Sequence, residues 1–176
     1  LTKRNSTPGQ HGTRRGKMSE YGLRLREKQK LRRFYCLNET QFSTVYDKAT
    51  NMAGQTGHNF LQLLERRLDN VVYRLGFGVS RNQARQLVCH GHFTVNGRKL
   101  DIPSALLKPG DVIAVAEGSR DVVVLKENSE AAAARSIPAW LSFNAESMTG
   151  TVVTAPIREQ IEVPVNEQLV VEFYAR

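Results

Sequence analysis

What this chain lacks narrows its function first. Only two of its 176 residues are cysteine, and Cys36 and Cys89 lie far apart in helical patterns, so two reduced thiols are expected rather than a disulfide. No run of about 18 apolar residues occurs, so no transmembrane helix is expected. No secretory signal pattern opens the sequence, which starts on Leu1 rather than methionine, so residues are expected to be missing before it. The motifs G-x-x-x-x-G-K-[ST], H-E-x-x-H and G-x-S-x-G are all absent, as are paired carboxylates in a recognisable cleft. Nothing here supports catalysis.

Positive charge is what the chain has in excess, and it is unevenly placed. The net charge is +8. Residues 1–40 hold eleven lysines and arginines against three glutamates, and residues 65–99 hold seven against two acids. Residues 41–64 balance, whereas residues 100–176 carry six basic and eleven acidic side chains. Two basic regions followed by an acidic one imply a polyanion partner over part of the molecule.

Residues 1–18 have no apolar periodicity and are rich in Gly, Pro, Ser, Thr and basic side chains; alone they should be extended. Ser19 then caps a helix from Tyr21 to about Tyr35. On it, Arg24, Lys28 and Arg32 make one four-spaced row, and Arg26, Lys30 and Arg33 a second. Such charge runs are usually solvated faces, but one offsetting Glu27 among six cations favours nucleic-acid contact. The apolar face is too narrow for a membrane-surface helix. Asn38 caps a second helix to about Ala53. A third is expected as one continuous run, with Phe60, Leu61, Leu64, Leu68, Val71, Val72 and Leu75 inward, and Arg67, Asn70 and Arg74 on another face. Asp69 reads as a structural partner for a nearby arginine.

Ser80 to Gly97 is the most informative stretch. Ser80 and Gln83 have capping-box spacing, with Ala84, Leu87 and Val88 buried and Arg81 and Arg85 on another face. Gly91 stops the helix, Phe93–Val95 is a strand, and Asn96-Gly97 is a hairpin turn followed by Arg98 and Lys99. Leu100 and Ile102 could continue that strand. Cys89-His90-Gly91-His92 lacks a second ligand pair at zinc spacing; turn packing is favoured over phosphate or base contact, and that over ligation. Pro109-Gly110-Asp111 is a turn, and Val112–Val115, Leu141 with Phe143, Thr151–Thr154 and Leu169–Phe173 read as strands. Residues 119–136 are ambiguous, strand-like at 121–125 and helical at 131–134.

The run ERRLDNVVYRLGFGVSRNQARQLVCHGHFTVNG (65–97), with the later IPS and PGD, closely resembles the RNA-binding module of the small-subunit ribosomal protein S-four family. PGQHG (8–12), SEYGLRLREKQKLRRFY (19–35), PAWL (138–141) and NEQLVVEFY (166–174) resemble the same family, so the likeness covers essentially the whole chain. It implies an α+β fold: a basic extended segment (1–18), a basic helical domain (19–63), the RNA-binding helix-hairpin module (64–126) and carboxy-terminal strands packing back on the body (127–176). It also implies that 119–136 is helical.

Functionally, the resemblance implies a structural, non-enzymatic constituent of the small ribosomal subunit in the cytoplasm. Such a protein binds 16S rRNA early, at a multi-helix junction. It also lines the region where mRNA enters, and it influences accuracy through the neighbouring ribosomal proteins S-five and S-three. Carried over by position, Arg14, Arg15 and Lys17 lie towards the mRNA. Arg24, Arg26, Lys28, Lys30, Arg32 and Arg33 contact rRNA from the basic helix. Arg67, Arg74, Ser80, Arg81, Gln83, Arg85, Gln86 and His90, with Arg98 and Lys99, face RNA from the module. No cofactor is expected within the chain; many family members carry a zinc-binding cysteine cluster near their start, and the resemblance leaves open a zinc or iron–sulfur site upstream of Leu1. The module also occurs on pseudouridine synthases and tyrosyl-tRNA synthetases, but no catalytic domain fits in the remaining length. A stand-alone heat-shock-type RNA binder would not need both the basic helix and the carboxy-terminal segment.

Overall fold

The computed structural model describes residues 9–10, 18–132 and 136–175. Segment 1–18, expected to be extended, with Arg14, Arg15 and Lys17, falls almost wholly outside the described residues. Helix α1 (Glu20–Phe34) starts where Ser19 Oγ accepts from the Gly22 amide at 3.2 Å. Helix α2 (Glu39–Thr50) is capped by Asn38, which accepts from the Gln41 amide at 2.7 Å. Its buried stripe is the expected Phe42, Val45, Tyr46 and Ala49.

The long third helix breaks in two, as α3 (Thr56–Glu65) and α4 (Leu68–Arg74). Arg67 is extended (φ −65°, ψ 139°), and the backbone bonds that a helix would make there go to another segment. The Leu68 amide donates to Ala105 O and the Leu107 amide to Arg66 O, each at 2.9 Å. Apolar spacing did not reveal this break because both halves still turn their apolar sides inward. The same pairing withdraws residues 103–107 from the sheet, so Leu100 and Ile102 do not extend a strand.

Helix α5 (Arg81–Cys89) leads into β1 (Phe93–Val95) and β2 (Arg98–Lys99). The turn between them has positive φ at Asn96 (50°) and Gly97 (78°), as a tight primed hairpin turn requires. With β3 (Val112–Val115), β4 (Leu141–Asn144) and β5 (Thr149–Val152), they form an antiparallel sheet of order β2-β1-β3-β5-β4. The last strand thus lies earlier than the expected Thr151–Thr154. Where residues 121–125 read as strand-like, helix α6 (Val123–Ala132) begins, as the family resemblance implied. Gly76, at the end of α4, has φ 87°, and a Cβ there would overlap the Ala132 side chain of α6.

A second correction concerns the carboxy terminus. Residues expected as a strand at 169–173 form helix α7 (Glu167–Tyr174). Asn166 accepts from the Gln168 amide at 3.0 Å, Glu167 suits the positive end of the helix dipole, and Val170 is driven into the core. Capping and burial outweigh the strand preference of Val170 and Val171.

Two hydrophobic cores result. One gathers α4, α5, α6 and the sheet around Leu68, Val72, Leu75, Phe77, Val88, Phe93, Ile113 and Trp140. The other packs α1, α2, α3 and α7 around Leu31, Phe42, Phe60, Leu64, Ile161 and Val170. Residues beyond 127 therefore divide between the two: β4 and β5 complete the sheet, while α7 packs on α1 and α3. The fold is α+β.

Candidate nucleic-acid interface

Helix α5 presents its polar face outward because Ala84, Leu87 and Val88 are buried beneath it. Ser80 Oγ accepts from the Gln83 amide at 3.2 Å, while Gln83 Oε1 reaches the Val79 amide at 2.7 Å. The expected reciprocal box therefore closes one residue earlier than its usual form. Gln86 and His90 are exposed one turn apart, and Arg98 and Lys99 are exposed on β2. Lys99 lies across Gly91 just beyond the end of α5, where a Cβ would overlap its side chain. Its cation suits the negative helix terminus there.

The two rows on α1 have opposite fates. Arg24 donates to Glu172 at 2.8 Å, and Arg32 donates to Gln29 at 2.9 Å and pairs with Glu39 at 3.6 Å. Lys28 is 4% exposed, bonded to Glu39 at 2.8 Å and 4.6 Å from the centre of the Phe173 ring. Burial alone would raise the Glu39 carboxyl, but bonds from Lys28 and Tyr174 hold it below its ordinary range. The other row, Arg26, Lys30 and Arg33, is exposed; Lys30 pairs with Glu27, and Arg26 and Arg33 have no partner among the described residues.

Beneath these surfaces lies a buried polar network that sequence reasoning did not assemble. Glu65, fully buried at the end of α3, accepts from Tyr35 Oη at 2.7 Å and from Asn70 Nδ2 at 2.7 Å. Arg74 also grips it bidentately, at 3.1 and 2.7 Å. Burial first, then the neighbouring Glu65 charge, pushes the Tyr35 phenol well above its ordinary pKa. Arg67, 2% exposed, holds Asp69 bidentately at 3.1 and 2.7 Å, and Arg85 Nη1 shares that carboxylate at 3.1 Å. Arg81 Nε donates to Asn70 Oδ1 at 2.9 Å.

The expected site thus divides. Arg26, Lys30, Arg33, Gln86, His90, Arg98 and Lys99 are exposed, and Arg85 is half-exposed. Arg24 and Arg32 are partly enclosed by their acidic partners. Lys28 and Arg67, expected to contact RNA, are buried here, each enclosed in an ion pair. Arg74 is spent on Glu65. Asp69 holds arginines, as its place in the sequence suggested. The signal for Glu65 was weak, because a glutamate one residue before Arg66-Arg67 reads as ordinary surface charge. Of the Cys89–His92 cluster, His92 Nδ1 bonds Ser119 Oγ at 2.9 Å, and no group of three or more metal-ligating side chains forms among the described residues.

The helix-hairpin unit, with half-exposed Arg85 on α5 and exposed cations on β2, defines the class: residues 66–113 match the S4 domain. Residues 1–65 match the Ribosomal protein S4/S9 N-terminal domain. The chain is 55% identical to the small ribosomal subunit protein uS4 of Thermodesulfovibrio yellowstonii over 174 residues, covering 99% of this chain and 84% of that protein. It is 57% identical to the uS4 of Pelotomaculum thermopropionicum and 56% to that of Syntrophobacter fumaroxidans, each over 176 residues, covering 100% of this chain and 85% of theirs. The chain belongs to the uS4 family of small ribosomal subunit proteins, a family of ribosomal structural proteins and not of enzymes.

Proposed function

We propose that this protein is a primary 16S rRNA-binding component of the cytoplasmic small ribosomal subunit, bound where several rRNA helices converge. The observation that carries this reading is a run of cationic and polar side chains that passes from α1 to α5 and on to the hairpin. Arg26, Lys30 and Arg33 run along α1, and Phe34, next in the chain, stacks on Arg81 at the start of α5. The α1 row therefore ends beside the α5 surface of Arg85, Gln86 and His90, with Arg98 and Lys99 following on the hairpin. Such a surface neutralises phosphates and reads helix geometry rather than base sequence. Arg85 is oriented by Asp69, and Ser80 keeps a hydroxyl proton to donate.

The same reading extends to mRNA passing near Arg14, Arg15 and Lys17. It also places S-five and S-three against the acidic carboxy-terminal half, with an influence on translational accuracy; for these the support is family membership and the distribution of charge. No helix among the described residues is long and apolar enough to cross a membrane. Filter binding to 16S rRNA across a salt series, against equal-length duplex and tRNA competitors, tests the central claim. Tight, salt-graded binding that competitors leave intact is expected. Equal displacement by every competitor would reduce the protein to a generic polycation.

A further inference from the structure

Arg81 stands out because its surroundings do not suit a phosphate contact. Its guanidinium lies 4.0 Å from the centre of the Phe34 ring, 4.4 Å from Tyr73 and 5.3 Å from Tyr35. Phe34 packs against the core of α1–α3 and α7, and Tyr73 against the core of the helix-hairpin unit. The guanidinium therefore sits between rings that belong to the two different cores. Nε is committed to Asn70 Oδ1, whose amide is in turn bound to Glu65, the carboxylate that also holds Tyr35 and Arg74. Nη2 is enclosed and has no hydrogen-bond partner among the described residues. A group facing phosphate would present that nitrogen to solvent.

We infer that Arg81 is a positioning residue: its guanidinium fastens the end of α1 to the start of α5 and sets the angle between the two basic surfaces. This inference rests on the rRNA-binding reading and deepens it. Two phosphate-binding faces held at a fixed angle act as one bivalent surface, so the second engages at high effective concentration once the first is bound. A planar guanidinium can lie between aromatic rings from both cores and still donate from Nε; an ammonium is a compact point charge with neither the flat faces nor the fixed fork of donors. A contact role and a positioning role then differ in an observable way. Losing a phosphate contact lowers the salt slope of binding, whereas loosening the angle weakens binding without changing the number of phosphates met.

The chain's two cysteines supply the readout. Cys36 lies just beyond α1, Cys89 ends α5, and both are exposed free thiols. Nitroxide labels at both report the distance across the Arg81 junction by pulsed electron resonance, without RNA. The wild-type protein should give one narrow distribution, broadened by Arg81→Ala, Arg81→Lys and Phe34→Leu but not by Arg85→Ala. Phe34→Leu leaves α5 untouched and keeps the test decisive should Arg81→Ala fail to fold. With 16S rRNA, Arg81→Ala and Arg81→Lys should each weaken binding by about tenfold or more at an unchanged salt slope. Narrow distributions in the Arg81 and Phe34 variants would overturn the inference. So would a slope lowered by about one in Arg81→Ala and restored by Arg81→Lys, since that marks a phosphate contact. Should wild-type protein show no preference for 16S rRNA, the functional reading fails, while the distances still decide the role of Arg81.

Discussion

Replacing Glu65 by alanine should be among the most damaging single changes in the protein. The carboxylate is fully buried and accepts four side-chain bonds, from Tyr35, Asn70 and twice from Arg74. Its removal strands the Arg74 guanidinium, whose side chain is only 15% exposed, and leaves the Tyr35 hydroxyl without its acceptor. Breaking a buried ion pair from one side costs about 3–5 kcal/mol, because the surviving charge loses its compensation. With a urea dependence of about 2 kcal/mol per molar, the unfolding midpoint should fall by roughly 2 M. Glu65→Gln keeps an acceptor for Tyr35 but turns an amide towards Arg74, so its midpoint should lie between those of the wild type and the alanine variant. Adding Arg74→Met to Glu65→Ala should recover part of the loss, because the cost arises from the stranded cation rather than from the missing carboxylate. A midpoint shift below about 0.5 M for Glu65→Ala would refute the reasoning. The Glu65 network would then be incidental to stability.

Other outcomes follow from the same geometry. Arg85→Ala should lower the salt slope of 16S rRNA binding by about one, whereas Lys28→Ala should leave the slope unchanged; equal slope losses would show that Lys28 reaches RNA. Gly76→Ala forces a side chain into a positive-φ position against Ala132 and should cost roughly 1–3 kcal/mol or more in chemical denaturation; an unchanged midpoint would place α6 away from Gly76. The bond from Arg158 holds the Glu167 carboxyl below its ordinary pKa against the opposing pull of burial, and the Lys30 bond does the same for Glu27. A lowered folded-state value means stability that is present above the ordinary carboxylate range and lost as pH falls below about 4.5. Glu167→Gln should flatten that acid limb, and an unchanged limb would remove Glu167 from it. Tyr35 is shifted upward by burial and Glu65, so its contribution is complete below about pH 10 and is lost above it. Tyr35→Phe should remove its share of the alkaline loss.

Much of the fold was legible wherever local chemistry decided it. Ser19, Asn38 and Ser80 announced their helices by capping, and Asn96-Gly97 announced the hairpin, because both signals act within a few residues. The segments misread as strands or as one long helix share a different cause. The β-branched Val170 and Val171 suit a strand, yet the cap at Asn166 and the core that takes Val170 decide for a helix. Spacing from Phe60 to Leu75 suits one helix, yet residues 103–107, more than thirty positions away, supply the backbone bonds that break it.

Among the candidate RNA-binding residues the division runs along the same line. Sequence by itself determined the excess and placing of positive charge, three capped helices and the hairpin, because charge, capping and turn chemistry are local. Resemblance of its motifs carried the S4 type and the α+β fold. Only the tertiary structure decided which cations are free. Arg24, Lys28 and Arg32 match Arg26, Lys30 and Arg33 in spacing and charge, but α7 and Glu39 enclose the first row and leave the second open. Arg67 and Arg74 likewise turn inward, to the nearby carboxylates of Asp69 and Glu65, and Arg81 to rings of both cores. A guanidinium takes its role from what the fold sets beside it, whether that neighbour is two positions away, as for Arg67, or more than a hundred, as for Arg24.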